Sequence, residues 1–335
     1  MDLPSFNPTN ESDNETTTNN DRPEKASTKK SKHGGNEEKE SISNNQARAK
    51  ENNAAMPVDI ASENSMPKLV PDMPNDEYHA TDDISSSNIK TALKSMGKYK
   101  AQINGDSVFK ATPAMDLGTL VHALVLEPHT FADQFAVSEK FDGRTKVGKA
   151  GKAAFILANE GKIIVDVEQM EVAQAMAKAV MDHPEVKAIL AVAGIKFEHS
   201  GFCIDHDTRL RVKYRPDIRT DHFIADLKSC KDASKAEFMR AILNFGYHIS
   251  AAHYLKCDHE LFGTTHGQFI FICVENTFPY EVAVYTLKSA AIDEGYDQCA
   301  KALNMIKDAQ ESGNYPQLND GLACEIDIPA YGYKG

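Results

Sequence analysis

The chain has 335 residues, a formal net charge of −12, no tryptophan and six cysteines. That length holds one large or two modest domains, and the acidic balance argues against a protein that coats nucleic acid through overall positive charge. It leaves room for an enzyme with a local basic groove, since carboxylates gathered around a divalent metal would themselves add negative charge.

Residues 1–70 are dominated by Asn, Ser, Thr, Glu and Lys and carry no aromatic residue after Phe6. Such a composition buries too little apolar surface to offset the entropy of ordering a backbone. The segment is expected to be a disordered polar tail, leaving 71–335 as one domain with a sizeable core. The N-terminus lacks a basic stretch followed by an apolar run, and no eighteen-residue apolar stretch occurs. The expectation is a soluble, cytoplasmic protein. Cys203, Cys230, Cys257, Cys273, Cys299 and Cys324 occur singly, with no C-x-x-C pair. They read as reduced thiols, and their spacing does not suit a zinc cluster.

In chain order, residues 82–102 open with a serine cap and place Ile89, Leu93 and Met96 at helical spacing. Residues 114–131 place Leu117, Leu120, Val121, Leu124 and Val125 in the pattern of a buried helix that stops before Pro128. A basic, glycine-containing segment at 141–155 precedes helices near 167–182 and 184–192. The pattern then shortens, and 196–205, 208–217 and 222–229 read as consecutive strands joined by tight polar turns such as "DHDT". A helical region at 232–262, strands at 267–276 and 280–287, and a helix at 289–311 follow. The order predicts an α/β domain.

The stretch "YRPDIRTDHFIADLKS" (214–229) carries the chemistry. Residues two apart on a strand share a face, so Asp226 and Lys228 project together while Ala225 and Leu227 point to the core. Asp217 comes near if the flanking strands pair as a hairpin. A carboxylate can ligate Mg²⁺, which prefers oxygen ligands, and the lysine can orient or help deprotonate a water. Taken alone, the same residues are equally an exposed ion pair on a sheet. His122, within the apolar "GTLVHALVLEP", is either a core histidine satisfied by one hydrogen bond or a metal ligand, with Gly118 one turn earlier allowing close approach of another element. Glu198 is a strand carboxylate that faces either the same site or solvent. In "TRLRVKYRPD", Leu210, Val212 and Tyr214 share one face and Arg209, Arg211, Lys213 and Arg215 the other. Four like charges on one face call for an anion, which is either a phosphate backbone or nearby carboxylates.

The segments "YHATDDISSSNIKTAL", "GTLVHALVLEPHTFADQF", "YRPDIRTDHFIADLKS" and "GYHISAAHY", in this order across residues 74–330, resemble the RecE-type exonucleases (exodeoxyribonuclease VIII, phage-derived) of the PD-(D/E)XK, RecB-like nuclease superfamily. The resemblance implies a restriction-endonuclease-like core, a mixed central sheet flanked by helices, with helical N-terminal additions. It implies His122, Asp217, Asp226 and the Leu227 carbonyl as metal ligands, Lys228 as the catalytic lysine, and Tyr254 as the tyrosine of a Gln-x-x-x-Tyr motif. The glutamine position holds Ser250, which shares a helix face with Tyr254 but is shorter. A DNA contact there falls to Ser250 or to an Arg, a Lys or His248. By the same resemblance the cofactor is Mg²⁺, with Mn²⁺ able to substitute. An iron–sulfur cluster is not expected, since no cysteine precedes Cys203. The implied activity is 5′→3′ digestion of double-stranded DNA ends, leaving 3′ overhangs for a RecT-type single-strand annealing protein, by a ring-shaped tetramer. Two other functions fit the residues: an endonuclease of the same superfamily and a DNA-binding module without catalysis.

Overall fold

The computed structural model describes residues 67–106 and 112–329. The proposed tail therefore lies outside the described residues, except at its end. Lys68–Val70 form strand β1, which pairs antiparallel with a later strand.

Helices dominate the first half. They are α1 (Asn75–Ala80), α2 (Ser86–Lys94), α3 (Met96–Ile103), α4 (Pro113–Leu126), α5 (Phe131–Gln134), α6 (Lys146–Ala158), α7 (Val167–Asp182) and α8 (Pro184–Leu190). Between them, β2 (Phe135–Ser138) and β3 (Ile163–Asp166) pair in parallel. The helix expected over 82–102 is two helices, because Ser95 adopts an extended conformation and its hydroxyl caps α3. Ser85 and Asn88 form a reciprocal capping box at the start of α2. The basic segment at 141–155 is largely helix α6, capped by Thr145.

The second half holds β4 (Lys196–Phe197), β5 (Ser200–Ile204), β6 (Arg211–Tyr214), β7 (Ile218–Arg219), β8 (Phe223–Cys230), α9 (Lys235–Phe245), α10 (Tyr247–Phe262), β9 (Gln268–Glu275), β10 (Val282–Thr286) and α11 (Ser289–Ser312). A mixed five-stranded sheet runs β10-β9-β8-β7-β4, and only β8 and β9 are parallel in it. A three-stranded antiparallel sheet runs β1-β5-β6. The strand expected at 196–205 is split between these sheets, and the one expected at 208–217 holds only β6 of the smaller sheet, with β7 following in the larger. The chain crosses from one to the other at 198–199 and returns at 215–217. Period-two alternation cannot show such a crossing, because the chain is in strands on either side of it.

One face of β8 packs Ala225 and Leu227 against α4 and α7, among Leu120, Val121, Leu124 and Met176. The other packs Ile224 against α9 and α10 with Phe238, Leu255, Phe269 and Phe271. Each such side chain, fully buried, stabilises the fold by roughly 1.5–3 kcal/mol. The helical region at 232–262 is broken at Gly246, which takes a left-handed φ of 62° between α9 and α10.

The expected row of four cations does not form one strand face. Arg209 lies before β6 with φ 64°. Arg211 pairs with the buried Asp83. Lys213 is buried and donates to the Tyr78 and Thr81 carbonyls and the Thr81 hydroxyl. Arg215 donates to Ser200 and to the Met73 carbonyl and lies 4.2 Å from the Tyr78 ring. The partners of these three cations lie within the chain, chiefly in the segment that packs beneath β6.

Gly201 sits opposite Tyr214 in the β5–β6 ladder. A Cβ there would fall 1.9 Å from the Tyr214 ring, which is fully buried and cannot swing aside. Gly201→Ala is therefore expected to destabilise the domain by about 1–3 kcal/mol. Urea denaturation checks this, and an unchanged midpoint would refute it.

Candidate metal centre

The site forms where β7 begins. Ile218 and Arg219 pair with Ala225 and Ile224 of β8, and the residues before Ile218 lie outside the sheet. The next inward-pointing backbone groups of β8 belong to Leu227 and lose their ladder partner. Side chains replace it. The Leu227 N–H donates to Asp217 Oδ2 at 2.6 Å, and the Leu227 carbonyl lies 2.6 Å from His122 Nε2. A buried polar backbone group left unpaired is costly, so this exchange fixes both side chains against the strand.

His122 arrives from α4, Asp217 from the crossing between β6 and β7, and Glu198 from the crossing between β4 and β5. His122 Nδ1 stands 3.5 Å from Asp217 Oδ2 and 3.8 Å from Glu198 Oε1. The Glu198 N–H donates to the Asp217 carbonyl at 3.2 Å, which ties the two crossings together. Glu198 holds a φ of 50°, a left-handed conformation that costs a non-glycine residue roughly 1–2 kcal/mol. Strain of this kind persists where the surroundings over-determine it, and here it accompanies a carboxylate directed at His122. Gly118 allows α4 to approach closely, since a Cβ would lie 3.0 Å from Ser229 Oγ.

Asp226 and Lys228 share the opposite face of β8 and pair through Asp226 Oδ2 and Lys228 Nζ. Lys228 Nζ also lies 5.5 Å from the Tyr247 ring centre. Asp226 is buried.

The electrostatics are those of a site short of positive charge. Burial and the neighbouring Asp226 push the Asp217 carboxyl up to about 7, although His122 and Lys228 pull the other way. Burial disfavours a charged His122, yet Asp217 and Glu198 outweigh it and raise the imidazole to about 9. Burial would likewise lower Lys228, but Asp226 and Asp217 dominate and raise it. Lys228 is thus held as an ammonium, suited to donating and orienting rather than to removing a proton.

One ligand atom each from His122, Glu198 and Asp217 can be chosen so that all lie within 4.8 Å of one another. An imidazole with carboxylate oxygens suits a divalent cation, and the buried Asp226 carboxylate, held by Lys228, adjoins them as a further donor. The donor set therefore fits a divalent metal. Glu198, which the sequence left open, stands inside this group, whereas Asp226 adjoins it and is turned to Lys228.

Comparison with known proteins bears on this arrangement. Residues 85–326 match the family model described as a PDDEXK-like domain of unknown function (DUF3799). The chain belongs to this PDDEXK-like family. No curated protein sequence matches it. Among solved structures it is similar to a candidate exonuclease from Eubacterium rectale, with TM-score 0.52 and 12% identity over 78% of this chain and 97% of that one. It is also similar to an alkaline exonuclease from Laribacter hongkongensis, with TM-score 0.30 and 15% identity over 71% of this chain and 95% of that one. The first likeness shows the fold, a mixed sheet flanked by helices.

In this PDDEXK-like chain, Tyr254 lies on α10 against Tyr214 and Phe269, and burial raises its hydroxyl well above the usual range. Ser250, one turn earlier, accepts a 2.9 Å hydrogen bond from Lys90 Nζ of α2. The His248 ring lies 3.3 Å from the Ile242 carbonyl. Two features beside the site escape sequence reading. One is Lys90. The other is Asp258 on α10, which binds Arg219 and Tyr214 on either side of Asp217. The available signal for Asp258 was a lone acid inside an otherwise apolar helix face, which is weak.

Proposed function

We propose that the protein is a divalent-metal-dependent DNA nuclease acting as an exonuclease on double-stranded ends. The observation that supports this most is the junction where β7 begins. It brings His122, Glu198 and Asp217 together beside Asp226 and Lys228, in a chain of the PDDEXK-like family. His122, Asp217, Asp226 and the Leu227 carbonyl would hold Mg²⁺ or Mn²⁺, with Glu198 as a further ligand. A bound metal supplies stabilisation of the charge developing on the phosphate and an activated water. The chain's own groups do the rest. Asp217 and His122 lock the β8 backbone, and Lys228 donates to and orients the attacking oxygen. Tyr254 packs behind the site, with DNA contacts falling to Ser250 and the surface around it.

The finer reading follows the resemblance to RecE-type enzymes. It comprises 5′→3′ polarity, 3′ overhangs passed to a RecT-type annealing protein, a ring-shaped tetramer and a place in recombination. No helix among the described residues is long and apolar enough to cross a membrane, which accords with action on DNA in the cytoplasm.

The test is incubation of 5′- or 3′-end-labelled linear duplex, and of covalently closed circular duplex, with Mg²⁺ or with chelator. Release of label from the 5′ end of linear DNA alone, abolished by chelator, is the expected result. Cutting of the closed circle would replace the exonuclease with an endonuclease. No metal-dependent cleavage of either substrate would defeat the reading.

A further inference from the structure

We infer that Lys90 is a phosphate-binding positioning residue, holding the DNA strand beside the metal site where a serine stands in place of a longer amide side chain. This deepens the nuclease reading and rests on it. Helices α2 and α10 face each other through two pairs with the same four-residue spacing. Tyr254 lies beside Ser86, whose hydroxyl acts on it, and Lys90 Nζ donates to Ser250 Oγ at 2.9 Å. Residues four apart share a helix face, so α2 supplies a long cationic side chain at the point where the α10 side chain is short.

The route of Lys90 is built. Its stem crosses Gly246, where a Cβ would lie 2.9 Å from Lys90 Cδ and 3.3 Å from Cγ. The left-handed turn between α9 and α10 thus lets the lysine pass. Among the described residues no carboxylate lies within ion-pair distance of Lys90, although this chain pairs Arg211 with Asp83 and Lys256 with Asp205 and Asp207. Its electrostatic neighbours are Lys228, which repels it, and Asp226, which already holds Lys228. A half-buried ammonium facing another ammonium is unfavourable unless an anion joins them. A metal at the adjoining carboxylates would increase that demand. A phosphodiester meets it, because its oxygens can accept from an ammonium that keeps two donors beyond the one given to Ser250.

The experiment uses the full chain with Mg²⁺, and compares wild type, Lys90→Met and Lys90→Arg. Steady-state cleavage of linear duplex gives kcat and KM. Fluorescence anisotropy of the same duplex between about 50 and 200 mM salt, with Ca²⁺ replacing Mg²⁺, gives the salt dependence of binding. Lys90→Met is expected to lower kcat/KM at least tenfold and to flatten the slope of log K against log salt by about 0.7–0.9, the loss of one phosphate contact. Lys90→Arg is expected to restore the slope. A merely structural lysine would move melting temperature but not this slope. If wild type cleaves and Lys90→Met binds with an unaltered slope, the inference is overturned while the nuclease reading stands. If wild type does not cleave, the nuclease reading falls first and this one with it. Should Lys90→Met fail to fold by circular dichroism, Lys90→Gln against Lys90→Arg makes the same comparison with the same outcomes.

Discussion

Alanine at Asp226 or Lys228 is expected to reduce metal-dependent cleavage by about 10²–10³-fold in kcat, the usual cost of deleting one preorganised group that meets transition-state charge. The two side chains form one unit on β8, so the double variant should cost little more than either single one. Deleting Lys228 also leaves the buried Asp226 without its cation, so thermal melting must accompany the assay. Asp217→Asn separates catalysis from folding more cleanly. The amide keeps a carbonyl oxygen for the Leu227 N–H but removes the charge that a metal and His122 require. A comparable loss of cleavage with a nearly unchanged melting temperature is the expected result. Full activity in Asp226→Ala and Lys228→Ala would show that the chemistry lies elsewhere in the molecule.

Asp258→Ala is expected to destabilise the domain by about 3–5 kcal/mol, the cost of stranding one partner of a buried ion pair. Asp258 is fully buried. Its carboxylate accepts from Arg219 Nε at 2.6 Å and Nη2 at 3.1 Å, from the Tyr214 hydroxyl at 2.6 Å and from the Thr264 hydroxyl at 2.8 Å, and it contacts His266 Nε2. Tyr214 ends β6 in one sheet and Arg219 ends β7 in the other, so Asp258 clamps both ends of the crossing that carries Asp217. Burial alone would raise this carboxyl. The hydrogen bonds from His266, Arg219, Tyr214 and Thr264 outweigh burial and hold it well below the usual carboxylate range. A group whose pKa is depressed on folding contributes stability that is present above its unfolded value of about 3.9 and lost as pH falls through the folded value. The stability gap between wild type and Asp258→Asn should therefore be constant near neutrality and narrow below about pH 4. Urea midpoints measured from pH 7 to pH 2 check this. A gap that does not narrow in acid would mean that the carboxylate charge is not what holds the clamp.

Much of the site was readable before the fold. His122 lies in an apolar helix, and Asp226 and Lys228 stand two apart on a strand. Both patterns are local, set by the periods of helix and strand, and both recur in the structure. The helix breaks at Ser95 and Gly246 were less legible. One depends on a serine turning its own hydroxyl to the next helix, the other on a glycine entering left-handed space. The basic row at 209–215 left two readings open for a different reason. Alternation predicts which residues share a face, but not that Lys213 and Arg215 find carbonyls and hydroxyls in the segment before α2.

By itself the sequence determined the α/β order of elements and the two faces of β8, because each follows from spacing along a single element. Only the tertiary structure decided that β7 begins only at Ile218, that both crossings between sheets deliver Glu198 and Asp217 to His122, and that Lys90 reaches Ser250 from 160 residues away. Those are contacts between segments distant in the chain. Their cause is the need to pair buried backbone and charged groups wherever a ladder stops, and a linear pattern carries no record of where that will be.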